Sequence, residues 1–106
     1  MTLQNRSVFV GKLITIGRRT GLSRTVELRF VYFDGKFYAC SSNIQSKHWC
    51  QNMIKNPNVE VQAEGKHHSC RAQMVTEEEL RVRVLHLRDS PPLLERTVFE
   101  IAPTIG

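Results

Sequence analysis

The sequence predicts a mainly β protein, an antiparallel barrel or sandwich with one or two accessory helices. Several segments alternate between apolar and polar residues, which is the pattern of half-buried strands. Short turn signals separate most of these segments, and only two stretches have helical spacing. Because a parallel sheet needs a long crossover between successive strands, this arrangement favours antiparallel pairing. The predicted order is three strands, a helix, two strands, a short helix and a last strand.

The first three strands are predicted from residue type and from a hairpin turn. Residues 13–16 form a short apolar run, rich in β-branched residues, that ends at Gly17. In residues 25–33 one face is apolar: Val26, Leu28, Phe30 and Tyr32. Asp34-Gly35 is a strong hairpin signal because both turn positions need a positive φ. Residues 36–41 are therefore predicted to pair with the preceding strand.

A helix and a second hairpin are predicted next. The hydroxyl of Ser46 suits an N-cap. One apolar helix face follows: Trp49, Cys50, Met53 and Ile54. Asn56-Pro57 ends this helix, since the residue before a proline is pushed out of the α region. Residues 59–63 and 68–74 alternate, which predicts two strands joined by a turn at Gly65-Lys66.

The last part of the chain is less regular. Thr76 and Glu79 match a capping box, which indicates a helix N-terminus. A helical stripe follows: Leu80, Val84 and Leu87. The same segment also alternates, so a strand remains an alternative there. Ser90-Pro91-Pro92 interrupts the chain, and residues 96–101 are predicted as the last strand.

Length and composition indicate one soluble domain over residues 1–106. No apolar run approaches the ~20 residues that cross a membrane, and the first residues lack the apolar stretch of a signal peptide. We therefore expect a cytoplasmic protein without a membrane partner. A domain this small would gain from pairing with a second subunit.

Reduced, buried thiols are expected at all three cysteines, which form no CxxC pair and no zinc pattern: Cys40, Cys50 and Cys70.

The formal net charge of +5 favours an anionic partner, either nucleic acid, an acidic surface or a phosphorylated cofactor. Residues 17–25 concentrate this charge in a connection between two predicted strands, which contains two glycines, two threonines and three arginines. Guanidinium groups bind phosphate through paired hydrogen bonds, and glycine lets the backbone approach a ligand. The alternative is a solvated basic hairpin. The spacing is not that of a Walker loop.

Residues 42–47 form a second possible anion site. They lead into the first predicted helix, whose N-terminal N–H groups lie beside Ser46 and Lys47. The alternative is a capped helix with an exposed lysine. No nucleophile motif, acid–base pair or metal-ligand spacing occurs elsewhere, and the four histidines are scattered. This pattern fits chemistry supplied by a bound cofactor, with no metal site and no catalytic side chain assigned.

The motifs, taken together, resemble the deazaflavin-dependent nitroreductase family, which belongs to the FMN-binding split β-barrels of the pyridoxamine-5'-phosphate-oxidase type. The resemblance is carried by T-x-G-R-R-T-G-x-x-R-x-x-x-L at residues 15–28, the Asp34-Gly35 hairpin and Ser42-Asn43. It continues in W-x-x-N-x-x-x-N-P-x-V at residues 49–59. Cys50 stands where the family has a tyrosine. The family's substrate-side tyrosines are missing from the shortened helix near the C-terminus.

This resemblance implies a split β-barrel of antiparallel strands with one or two accessory helices. It implies a homodimer with the cofactor, deazaflavin coenzyme F-420 or FMN, in a groove between subunits. Hydride would pass from the reduced cofactor to a small-molecule acceptor. Phosphate contacts are implied for Arg19, Thr20 and Arg24, and contacts with phosphate or ring for Ser42, Asn43 and Lys47. The predicted cofactor-binding set is completed by Arg18, Thr25 and Trp49, although Trp49 alone is more typical of a core residue.

Two other functions remain open from the sequence. The missing tyrosines would also fit a non-catalytic carrier of a flavin, deazaflavin or other small ligand. The net charge would fit a barrel that binds nucleic acid. The latter is disfavoured, because residues 18–24 contain no aromatic side chain on which a base could stack.

Overall fold

A computed structural model describes residues 3–104 and contains a closed barrel of six antiparallel strands. The strands are β1 (Ser7–Ile16), β2 (Ser23–Phe33), β3 (Lys36–Ser41), β4 (Asn58–Ala63), β5 (Lys66–Met74) and β6 (Thr97–Pro103). They follow one another around the barrel in the order β1-β2-β3-β6-β5-β4, and pairing of β1 with β4 closes it. The helices are α1 (His48–Lys55) and α2 (Glu78–Arg88). The predicted class and element order are confirmed.

Two tight hairpin turns hold consecutive strands in register. Asp34 and Gly35 have φ angles of 54° and 75°, and Phe33 faces Lys36 across the turn, as predicted. In the second hairpin the prediction is one residue too late. The turn residues are Glu64 and Gly65, because the next residue already belongs to β5 and pairs with Ala63.

The barrel interior is lined by the alternating apolar faces of the strands. The face predicted for β2 points inward, and Phe30 within it is fully buried. Strand β1 is longer than predicted, because its outward residues before Leu13 include exposed valines that hide the alternation. The principal buried residues of this core are Leu13, Phe30, Phe37, Val61, Phe99 and Ile101.

Helix α2 covers part of the outer barrel surface. Val84 and Leu85 are buried against Val31, Tyr38 and Val98, which lie on the outer sides of three strands. The apolar stripe therefore forms a helix, and the alternative strand is wrong. The capping box is also wrong. The helix begins after Glu77 without a side-chain cap, and Glu79, the second residue of the predicted box, lies 3.8 Å from Arg83 Nη2.

Helix α1 differs from its prediction at both ends. Ser46 is not its N-cap, because the helix starts at His48 and the Ser46 amide donates to Asn43 Oδ1 at 3.3 Å in a preceding turn. Cys50 and Met53 are buried as expected, but Ile54 is 50% exposed. A polar residue, Asn52, takes a place in the buried face. The helix ends before Pro57 as predicted.

The three cysteines are free thiols inside or near the core. Cys50 and Cys70 are buried, and Cys40 is half-buried beside the α2 cluster. Burial raises the pKa of Cys40 and of Cys70 to about 11 and also raises the pKa of Cys50. Because the thiolate is the reactive form, the raised pKa values favour the protonated, less reactive thiols at neutral pH.

Neither helix of the described chain has the length and apolar character needed to cross a membrane.

The closure of the barrel requires a glycine in β1. A Cβ placed on Gly11 would lie 2.8 Å from the main-chain oxygen of Gln62 and 3.0 Å from the Phe9 ring. We expect Gly11→Ala to lower the free energy of unfolding by about 1–3 kcal/mol, because β1 and β4 must move apart. Urea unfolding is the measurement. The exposed neighbour substitution Lys12→Ala should change stability by less than about 0.5 kcal/mol. Equal effects of the two substitutions would contradict this explanation.

Candidate functional site

A cavity of about 560 Å³ lies where the connection between β1 and β2 meets the N-terminus of α1. Its volume is in the range of cofactor and small-molecule sites. The β1–β2 loop (residues 17–22) forms one wall, the beginning of β2 a second, and the first turn of α1 a third. The lining residues are Thr15, Gly17, Arg18, Arg19, Thr20, Arg24, Thr25, Val26, Ser46, Lys47, His48, Trp49 and Asn52.

The β1–β2 loop is closed by its own main-chain hydrogen bonds. The Gly17 amide donates to the Leu22 carbonyl at 2.8 Å, and the Gly21 amide donates to the Gly17 carbonyl at 2.8 Å. Thr20 Oγ1 accepts a hydrogen bond from the Leu22 amide at 3.2 Å. A Cβ on Gly17 would lie 2.8 Å from this hydroxyl oxygen. The loop therefore needs glycine at its first position.

A buried asparagine joins this loop to α1 and β1. Asn52 is 4% exposed, and its Oδ1 accepts hydrogen bonds from the Arg18 amide at 3.1 Å and from Arg18 Nη1 at 3.0 Å. Its Nδ2 donates to Thr15 Oγ1 at 3.2 Å, and Thr15 is 1% exposed. Arg18 Nη2 also lies 3.5 Å from His48 Nδ1.

The cavity carries four basic side chains: Arg18, Arg19, Arg24 and Lys47. No acidic residue occurs among its lining residues, and within residues 3–104 none of the four forms an ion pair with a carboxylate. In contrast, Arg29, Arg88 and Arg96 all contact Asp89. The positive charge of the cavity is therefore left for a ligand. Anions are the complementary partners.

One part of the cavity wall is apolar. Trp49, in the α1 wall, is half-buried and packs edge to face with Phe99, with ring centroids 6.1 Å apart. Val26, in the β2 wall, also lines the cavity and is half-buried. The cavity thus combines basic residues with two apolar ones. This combination suits a ligand that has both a negatively charged group and a ring.

The structure brings together most of the residues that the sequence predicted for cofactor binding. All but two of them line the cavity: Arg18, Arg19, Thr20, Arg24, Thr25, Lys47 and Trp49. Ser42 and Asn43 do not. They lie in the segment before α1, where the Asn43 side chain accepts the Ser46 amide and its own amide donates to Ser41 Oγ. Asn43 therefore shapes the segment that carries Lys47.

Three polar residues of the site had no predicted role. Thr15 was predicted to lie in a buried strand and matched the family motif, and Asn52 matched the family motif only. His48 had no distinguishing signal. The position of Asn52 between Trp49 and Met53, on an otherwise apolar helix face, is the signal that could have identified it. In the part of the chain that the structure describes, no group of three potential metal ligands occurs.

Comparisons with known proteins agree with this architecture. A family model described as F420H(2)-dependent quinone reductase matches residues 2–93. No curated protein matches. A solved F420-H2 dependent reductase, FDR-A, is 25% identical, with coverage of 95% of this chain and 98% of that chain and a TM-score of 0.61.

Two further structures share the fold. A putative pyridoxamine 5'-phosphate oxidase from Listeria innocua is 17% identical, with coverage of 90% of this chain and 83% of that chain and a TM-score of 0.70. A protein described as a domain-swapped dimer is 26% identical, with coverage of 95% and 84% and a TM-score of 0.62. The predicted split β-barrel is confirmed.

Trp49 is the single tryptophan of the chain, so its fluorescence reports directly on the cavity. We expect the ratio of iodide to caesium quenching to exceed that of N-acetyltryptophanamide, because the nearby cations concentrate anions. This excess should shrink in 1 M salt, where the Debye length falls to about 3 Å. Arg19→Gln and Arg24→Gln should reduce the excess, whereas Arg71→Gln, outside the cavity, should not. A ratio equal to that of N-acetyltryptophanamide would contradict an electropositive cavity.

Proposed function

Since this chain belongs to the F420H(2)-dependent quinone reductase family, we propose that it is a reductase that uses the deazaflavin coenzyme F-420. The cofactor would bind in the cavity between the β1–β2 loop and α1, and a small organic molecule would accept the hydride. This agrees with the family resemblance noted from the sequence. The observation that carries the proposal is the group of four basic side chains without carboxylate partners.

The residues of the cavity fit a phosphorylated cofactor. Arg19 and Arg24 have guanidinium groups that can form paired, charge-assisted hydrogen bonds with phosphate oxygens. Thr20 adds a hydroxyl from the same loop. Lys47 adds a point charge from the opposite wall, immediately before α1. These four residues are the proposed phosphate-side ligands.

The family match supports F-420 over FMN, because the matching model is described as an F420H(2)-dependent quinone reductase. Both cofactors carry a phosphate group that Arg19, Arg24 and Lys47 can bind. The binding test below therefore compares the two cofactors directly.

When bound, the reduced deazaflavin supplies the hydride, so the chain itself needs no nucleophile. Its residues would bind and orient the ligand. Trp49 and Val26 would give a ring apolar contacts, while Arg19 and Arg24 would bind the charged group. Two kinds of contact with one ligand restrict its orientation more than either could alone.

We also propose that the protein is a cytoplasmic homodimer. A structural relative that is 26% identical is described as a domain-swapped dimer. Two of the most exposed apolar side chains of this chain are Val10 and Leu22, at 62% and 63% exposure. Val10 lies on the outer side of β1, and Leu22 lies in the β1–β2 loop. A second subunit would cover such residues and stabilise a small domain.

The binding test is a titration with F-420 and, separately, with FMN, followed by fluorescence. We expect tight binding of F-420 and weaker binding of FMN. Arg19→Ala and Arg24→Ala should each weaken binding by about 1.5–3 kcal/mol, roughly tenfold to a hundredfold, because each loses a charged hydrogen bond to phosphate. Arg71→Ala is the matched control, since Arg71 is exposed on β5 outside the cavity. Unchanged affinity in both cavity variants would contradict the assigned site.

Turnover separates a reductase from a carrier. Reduced F-420 is mixed with a soluble quinone, and its oxidation is followed by absorbance with and without the protein. Acceleration over the background rate supports the reductase. Tight binding without acceleration for any of a panel of quinones and nitroaromatics would instead favour the carrier.

Light scattering tests the homodimer. We expect a mass of twice the 12.2 kDa chain at micromolar concentration. Leu22→Glu should shift the mass toward the single chain if this residue is covered, because burying an unpaired carboxylate is costly. Glu95→Gln, at another exposed position, should leave the mass unchanged. A single-chain mass for the unmodified protein would contradict the dimer.

A further inference from the structure

Asn52 is the hydrogen-bonding centre of the site wall. Its side chain lies on α1 and bonds to the last part of β1 and to the β1–β2 loop. It is nearly completely buried, as is its partner Thr15. Because buried polar groups are costly unless they are paired, these bonds hold the three elements in one arrangement.

Only an amide side chain can make this set of bonds. Oδ1 accepts two N–H groups of Arg18, one from the main chain and one from the guanidinium, while Nδ2 donates to a hydroxyl. Aspartate could accept but could not donate, and alanine would leave the Thr15 hydroxyl without this donor. The side-chain choice at Asn52 is thus specific to the loop arrangement.

Arg18 differs from the other basic residues of the cavity. Its guanidinium points toward α1, where Nη1 bonds to Asn52 at 3.0 Å and Nη2 lies 3.5 Å from His48 Nδ1. In the described chain Arg19, Arg24 and Lys47 have no side-chain hydrogen bond within the protein. Arg18 is therefore engaged by the scaffold, and the other three are available to a ligand.

We infer that Asn52 is the positioning residue of the β1–β2 loop, and that Arg18 belongs to this brace and not to the phosphate ligands. The brace consists of Thr15, Arg18 and Asn52. It sets the course of the loop main chain so that the next residue, Arg19, faces the cavity. The inference changes the sequence-based assignment of Arg18 and rests on the proposed function only in naming phosphate as the group that is bound.

The test compares ligands that share a ring but differ in phosphate. FMN and riboflavin are titrated into the unmodified protein, Asn52→Ala and Thr15→Val, with Asn58→Ala as a control outside the cavity. We expect both brace variants to weaken FMN binding by about tenfold or more, with riboflavin affinity changed by less than about twofold. The control should change neither. Equal losses for FMN and riboflavin, or no loss, would overturn the inference, because a general loosening of the barrel affects both ligands.

A double-mutant cycle tests the role of Arg18. Arg18→Ala and Asn52→Ala are combined, and FMN affinity is measured for each single variant and for the pair. We expect the second substitution to add less than about twofold to the first, because both remove the same brace. Multiplied losses would show that Arg18 binds phosphate independently and would overturn its assignment. Thr15→Val changes the brace with little change in volume, so it serves if Asn52→Ala does not fold.

Inorganic phosphate separates this inference from the proposed function. Phosphate binding is followed by Trp49 fluorescence in the same variants. If the unmodified protein binds neither F-420 nor FMN, the proposed function fails. A loss of phosphate affinity in Asn52→Ala or Thr15→Val, but not in Asn58→Ala, would still support the brace. No phosphate binding by the unmodified protein would overturn the inference.

Discussion

The closure of the barrel through β1 is the constraint on which the rest of the molecule depends. β1 pairs with β2 from Ser7 to Ile16 and with β4 at residues 12–14, so it joins the first hairpin to the second. Gly11 removes a side chain where the β4 main chain approaches. After the residues that pair with β4, β1 contains the buried Thr15 and continues into the β1–β2 loop. Barrel closure therefore determines where the loop emerges and which side of it faces α1.

The distribution of charge separates a binding site from a generally basic surface. Elsewhere, arginines are balanced locally: Asp89 contacts three of them, and Arg81 pairs with Glu78. The basic residues that line the cavity have no acidic neighbours among the lining residues in the described part of the chain. Like charges held close together repel each other, so the fold must supply compensating interactions. Asn52 supplies part of this by binding Arg18, which explains how an uncompensated group of cations is compatible with a small domain. The alternative of a solvated basic hairpin is disfavoured by the ordered cavity wall opposite it.

Sequence analysis succeeded where one local rule decides the structure. Alternation identified the core faces of β2 and β4, Asp34-Gly35 identified its hairpin, and the proline after Asn56 identified the end of α1. It failed at both helix N-termini. At Ser46 and Thr76 the predicted caps fit the local sequence, but α1 begins after Lys47 and α2 after Glu77, and neither helix has a side-chain cap. Capping is worth only about 1 kcal/mol, so a capping residue alone does not fix where a helix begins.

The site, too, could be predicted from the sequence only in part. Arginines and glycines in one loop were visible as candidates for anion binding, because composition alone indicates that chemistry. Their partners were not visible. Asn52 is far from Arg18 in sequence, and only the packing of α1 against the end of β1 brings the two together. Ser42 and Asn43 were assigned through the family motif, but neither lines the cavity, and the turn before α1 uses the polar groups of Asn43 internally.

When a bound cofactor supplies the chemistry, the protein mainly has to bind and orient the reacting molecules. Flexible arginines lose conformational freedom when they bind phosphate, and this cost is smaller when the main chain beneath them is already fixed. The brace of Thr15, Arg18 and Asn52 fixes that main chain with buried hydrogen bonds, whereas Arg19 and Arg24 stay without protein partners in the described structure. Arg18, which the brace holds, and Arg19, which is available to a ligand, are thus neighbours in the sequence. One positions the loop and the other would bind the ligand, because their side chains face different sides of the loop.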